Sequence, residues 1–207
     1  MKSKKILISY KIAFALLGFS AVVTEIATLV ERGQFNPFNF FSYFTIQSNI
    51  FAFAILLAST VAVASNKKST ILNLLRGAAT LYMVITGIVF AVLLAGVEGS
   101  ILTAVPWDNI VLHYIMPVVL LVDWLVDKPN KSIAFKNSFV WLIYPVAYVI
   151  YSLTRGYFVD WYPYPFLDPS SNGYGGVLVT GIGIAGLTFV LMFALTKLSR
   201  TKTSNWN

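Results

Sequence analysis

The sequence predicts an all-α integral membrane bundle of six transmembrane helices, with the N- and C-termini in the cytoplasm. Three observations carry this. Of 207 residues, 57% are hydrophobic and only 11% are charged, with a mean hydropathy of +0.75, whereas a soluble domain carries about a quarter charged residues. Six apolar runs approach or exceed the roughly 20 residues that span a hydrocarbon core. Basic and acidic residues alternate between successive connections.

The first run, 6–30, follows the basic stretch Lys2, Lys4 and Lys5. It continues past the point where a signal peptide would end in a small-residue cleavage site, so an uncleaved first span is expected. The others are 41–64, 72–96, 109–126, 135–153 and 175–198. Lys67, Lys68 and nearby Arg76 mark the second connection, Lys128, Lys131 and Lys136 the fourth, and Lys197, Arg200 and Lys202 the C-terminus. The odd-numbered connections hold Glu31, Glu98, Asp108, Asp160 and Asp168, with Arg32 and Arg155 as their only cations. Positive-inside bias puts the even connections and both termini in the cytoplasm. It also explains the formal charge of +7 without nucleic acid. A chain of this length makes one domain.

Composition excludes several chemistries. Without cysteine there is no disulfide framework, thiolate metal site or cysteine nucleophile. With His113 as the only histidine, one chain cannot build a multi-histidine metal centre. No metal or organic cofactor is expected.

Gly175, Gly176, Gly181, Gly183 and Gly186 predict a smooth, tightly packed face on the sixth span. They make no dinucleotide fingerprint, having no strand before them and no acid about 20 residues on. Pro117 and Pro145 each remove a backbone donor within a span and predict kinks that open a cavity or free a carbonyl. The aromatic stretch 156–168 before the sixth span reads either as an interfacial belt or as a proline-stiffened lid.

In a bilayer the polar residues on spans are the informative ones. Glu25, His113 and Asp123 stand out, with an uncharged cluster of Ser42, Thr45, Gln47, Ser48 and Asn49. Ser42, Thr45 and Asn49 fall on one helical face with Ser48 beside them, while Gln47 points elsewhere. The face reads either as interhelical hydrogen-bonding glue or as part of a site. Thr45 and His113 both lie near the outer ends of their spans. A hydroxyl beside an imidazole is the minimum set for nucleophilic acyl transfer. Asn49, Ser48 or Asn109 are candidate oxyanion donors, and Asn109 also stands one turn above His113, where it can set the tautomer. Asp123 lies about 15 Å along the helix from His113, too far to orient it. Glu25 and Asp123 leave a second reading open, a transporter or channel with a proton or cation path.

The stretch 39–49, the residues Leu112 to Pro117 followed by Asp123 and Trp124, and the run Tyr164 to Asp168 together resemble a bacterial branch of the androgen-induced and androgen-dependent-TFPI-regulating protein family. The resemblance implies a small multi-pass membrane hydrolase with a threonine nucleophile and a histidine base, acting on fatty-acid esters of hydroxy fatty acids or similar lipids. The family threonine follows aromatic residues at the start of the second span, as Thr45 does. The family histidine precedes a proline on the fourth span, as His113 precedes Pro117, at a slightly different spacing. Tyr164 and Asp168 match its aromatic motif before the last span. The expected partners are the lipid bilayer and an ester substrate entering from the outer leaflet of the plasma membrane.

Overall fold

The computed structural model describes residues 2–96 and 103–199. Glu98, Arg200 and Lys202, which enter the charge alternation, lie outside them. Six helices are long and apolar enough to cross a membrane: α1 (Ser3–Glu31), α2 (Phe44–Ala64), α3 (Thr70–Leu94), α4 (Pro106–Val126), α5 (Phe135–Val159) and α6 (Gly173–Leu198). No strand occurs among the described residues. The six expected spans are all present, and the architecture is that of an α-helical membrane protein.

Local chemistry sets their ends. Asn36 caps a short turn, Pro37–Phe40, by accepting from Asn39 N–H. That turn and the non-helical residues 41–43 after it delay α2 to Phe44. Ser69 caps α3 through Leu72 N–H, and Asp160 closes α5 in the left-handed conformation. Asp168 accepts from Ser170 N–H at 2.8 Å and caps the helix that runs into α6.

One end of the bundle is basic. There Lys4 donates to Ala64 O at 3.0 Å and Asn66 Oδ1 at 2.8 Å, Asn73 bonds Asn130, and Ile133 N–H donates to Ser199 Oγ at 3.1 Å. The N-terminus, the second and fourth connections and the end of α6 therefore gather together. The opposite end carries the links from Glu25 to Ala104, Thr45 to Tyr164 and Asn39 to Arg155.

α3 is the most buried span and α6 the least. Ala15, Ala21, Ala52, Leu56, Met83, Leu112, Met116 and Leu120 fill one core between α1, α2, α3 and α4. A second core joins Leu81 of α3 to Trp124, Trp141, Met192 and Leu195. Gly77 makes this second core possible, because a Cβ there would lie 2.2 Å from Trp141 Cζ2. Trp141 is also anchored, its Nε1 donating to Leu74 O at 2.9 Å. Gly77→Ala is expected to cost about 1–3 kcal/mol by overpacking, read as a lower unfolding temperature and altered tryptophan fluorescence.

The glycine face of α6 corrects an expectation. Open space surrounds Gly175, Gly181, Gly183 and Gly186. α6 packs through Met192 and Leu195 in its second half instead, with Ile184 and Leu191 beside them. These glycines all precede Met192 and Leu195 along the helix, and a Cβ at any of them would meet no neighbour.

Both prolines disturb their helices in ways that place functional groups. Pro117 has no N–H for the His113 carbonyl, and the preceding residues Val111–Ile115 form a π-helical turn with Met116 N–H bonded to Val111 O. Such turns recur at functional sites. Gly87 admits Pro117, since a Cβ there would meet the proline ring at 3.0 Å and His113 O at 3.2 Å. Pro145 leaves the Trp141 carbonyl without its helical donor, and Tyr82 O–H supplies one at 2.8 Å. The residues before it, Phe139–Leu142, tighten to a 3-10 turn.

Candidate active site

Thr45 is the second residue of α2, close to the N-terminus of that helix. His113 is the eighth residue of α4. The offset is roughly 9 Å of helix, and the two meet because α4 begins further out than α2. Thr45 Oγ1 lies 3.3 Å from His113 Nε2. Both are buried, at 7% and 2% exposure.

The imidazole is fixed on three sides. Its Nδ1 donates to the backbone carbonyl of Asn109 at 3.1 Å. That bond puts the proton on Nδ1 and leaves the Nε2 lone pair facing the threonine hydroxyl. The ring stacks on Phe90, with centroids 4.0 Å apart and planes at 23°. Phe90 opens a second π-helical turn, Phe90–Leu94, at the end of α3.

Tyr164 completes the cluster. Its hydroxyl oxygen accepts the Thr45 backbone N–H at 3.1 Å and lies 3.2 Å from Thr45 Oγ1. The phenol is buried, and that burial pushes its pKa up to about 12, so it carries its proton across the neutral range. Tyr43 packs edge-on against it and Phe166 stacks on it. The stretch 156–168 thus divides its roles. Tyr162, Tyr164 and Leu167 turn inward, with Tyr162 covering Gly156, while Tyr157 and Phe158 stay exposed as a belt.

The other predicted residues separate from this centre. Asn49 Nδ2 donates to Thr45 O at 2.9 Å and Leu112 O at 3.2 Å, which ties α2 to α4 beneath the pair. Ser48 Oγ donates to Thr45 O at 3.1 Å and bonds Thr86 Oγ1. Their donors are committed to the scaffold, so neither is placed as an oxyanion donor. Asn109 orients His113 through its backbone, not its side chain. Ser42 bonds Phe38 O and the Tyr151 hydroxyl. Gln47 turns outward to Tyr144 and Phe41 O. Asp168 is the cap described above and makes no contact with the pair.

Glu25 accepts from Ala104 N–H at 2.7 and 2.8 Å and lies beside Asp108, which is fully buried. Asp123 sits toward the basic end in a closed cluster. Lys11 pairs with Asp123 and with Asp127 at 2.9 Å, and Arg76 pairs with Asp123 at 2.8 Å and Asp127 at 3.1 Å. Two cations and two anions balance there. Sequence reasoning missed Lys11 and placed Arg76 with a connection. A cation in the middle of an apolar run, with a buried acid on another span, was the available signal.

Fold and site together define a polytopic α-helical membrane protein with an enclosed threonine–histidine–tyrosine cluster. The chain matches no family model, no curated protein and no solved structure.

Proposed function

We propose that this protein hydrolyses lipid esters inside the bilayer, with Thr45 as nucleophile and His113 as general base. One observation carries the reading: Thr45 Oγ1 lies 3.3 Å from a histidine nitrogen whose other nitrogen is already bonded to a carbonyl. The basic end of the bundle faces the cytoplasm, so the site lies near the outer leaflet of the plasma membrane. The resemblance to the androgen-induced protein family points the same way. Membrane seating favours an apolar ester such as a fatty-acid ester of a hydroxy fatty acid.

In this mechanism the Thr45 hydroxyl transfers its proton to His113 Nε2 as its oxygen bonds to the ester carbonyl carbon. The tetrahedral intermediate collapses, the carbon–oxygen bond to the alcohol breaks, and His113 returns the proton to that leaving oxygen. An acyl-threonine remains. Water then attacks it, passing a proton to His113; the carbon–oxygen bond to Thr45 breaks as His113 returns that proton to Thr45 Oγ1, and the carboxylic acid is released. The N-terminal position of Thr45 on α2 places the positive end of the helix dipole beneath the developing charge.

Tyr164 takes the role sought among Asn49, Ser48 and Asn109. Its oxygen accepts the Thr45 N–H; its own hydrogen, which has Thr45 Oγ1 within reach at 3.2 Å in the free protein, turns to the substrate oxyanion as Thr45 bonds to the carbonyl carbon. Tyr164→Phe is expected to lower kcat by about 10²-fold with little change in KM, and to cost about 1–3 kcal/mol of stability because the buried Thr45 N–H loses its acceptor.

The direct test is a fluorophosphonate probe applied to native membranes, with the adduct located by peptide mass spectrometry. A phosphonyl adduct on Thr45 is expected. Labelling at another residue, or none, overturns the assignment.

A further inference from the structure

α5 carries a groove that the proposed chemistry does not use. Ala147, Ile150, Tyr151, Thr154 and Arg155 line about 480 Å³ of open, almost wholly apolar space. Their spacing is i, i+3, i+4, i+7 and i+8, one continuous stripe of a helix. The stripe is roughly 12 Å long and ends at Arg155, at the same end of the bundle as Thr45.

Arg155 is held as a rigid cation. Its Nη2 donates to Asn39 Oδ1 at 2.6 Å, and its guanidinium lies 4.8 Å above the Trp161 ring. Its Nη1 is buried without a hydrogen-bond partner among the described residues. Among the described residues no carboxylate forms an ion pair with it; Lys11 and Arg76 hold those pairs. Among the described residues, then, a positive charge without a counter-ion closes one end of an apolar trough along a membrane-spanning helix.

We infer that this groove binds a single-chain lipid carboxylate, its acyl chain along the α5 stripe and its head on Arg155. Charge complementarity requires an anion at Arg155, and a guanidinium pairs with a planar carboxylate through parallel hydrogen bonds. The one-helix width of the stripe suits one chain, not the two of a phospholipid. The wall is joined to the turn that leads into the helix of the candidate nucleophile, since Tyr151 O–H and Ser42 Oγ lie 2.8 Å apart and Tyr148 O–H donates to Ser42 O at 3.0 Å. The inference does not depend on hydrolysis, because none of the groove residues belongs to the Thr45–His113–Tyr164 cluster.

The test is photo-crosslinking of the full chain, reconstituted in phosphatidylcholine vesicles, with a palmitic acid analogue bearing a diazirine on its chain. Adducts are expected on residues 147–155, displaced by palmitate but not by methyl palmitate. Arg155→Gln is expected to weaken labelling by about tenfold or more, and Arg155→Lys to retain part of it. Ile150→Trp, which fills the trough and leaves the cation in place, is expected to abolish it. Thr45→Ala is expected to label fully, so failure of the hydrolase reading and failure of this one are distinguishable. Adducts outside the stripe, equal displacement by methyl palmitate or phosphatidylglycerol, or undiminished labelling of Arg155→Gln and Ile150→Trp would overturn it.

Discussion

Thr45→Ala and His113→Ala are each expected to lower ester hydrolysis by at least about 10³-fold, and the double variant to fall no further than either single one. The shared floor follows from the mechanism. One proton moves along one contact, from Thr45 Oγ1 to His113 Nε2 at 3.3 Å, so removing either partner ends the same step. In activation energy the loss is about 4 kcal/mol. Stability should change little in Thr45→Ala, because the backbone N–H bond to Tyr164 remains and a lost hydroxyl contact is worth about 1 kcal/mol. Thr45→Ser keeps the oxygen and should keep measurable turnover. The measurement is hydrolysis of a fluorogenic long-chain ester by purified protein, beside an unfolding curve for each variant. Single-variant losses that multiply in the double would show that the two residues act in separate steps and would end the dyad reading.

Asp123→Ala is expected to destabilise the bundle by about 3–5 kcal/mol, the cost of leaving a buried charge without its partner. Asp123 bonds both Lys11 of α1 and Arg76 of α3 from its place on α4, and Lys11 and Asp123 are almost completely buried. Without it Lys11 and Arg76 share Asp127 alone, and one positive charge is left over. The double variant Lys11→Met/Asp123→Leu removes one charge of each sign and leaves Arg76 with Asp127. It is expected to recover most of the lost stability. Thermal unfolding in detergent distinguishes the cases. An Asp123→Ala protein that melts with the wild type would show that the cluster does not hold the three helices together. Because Asp123 lies about 15 Å along α4 from His113, the folded fraction of this variant should keep its fluorophosphonate reactivity.

The parts of the structure legible in the sequence are those governed by local solvent preference. A span is recognised by the apolarity of its own residues, and all six appear where hydropathy put them. Ends were less legible. α5 runs to Val159, beyond the expected stop at 153, because Thr154 and Arg155 face the groove and the bundle end while the helix continues. α6 was assigned a packed glycine face that instead stands clear, since small residues permit close approach without choosing a partner.

For the site, the types of residue were legible and their company was not. Thr45 and His113 drew notice as polar groups in an apolar setting, yet they are 68 positions apart. The roles of Asn49 and Ser48 depended on which carbonyls their donors reach. Phe90 and the backbone of Asn109 entered only once helices from distant parts of the chain were packed, and Tyr164, already marked by its aromatic motif, gained its contact with Thr45 only there. Lys11 was hidden for a related reason, because one charge scarcely lowers the mean hydropathy of a long apolar window.

By itself, then, the sequence determined that the chain forms six apolar helices and which few polar side chains they must keep from lipid. Tertiary structure alone decided which of those side chains touch, through the Pro117 turn, the Gly77 and Gly87 approaches and the inward fold of Tyr164. The physical reason is range. Burial in an apolar solvent is a sum over neighbouring residues, whereas a proton-transfer contact of about 3 Å depends on the relative placement of helices that chain order does not specify.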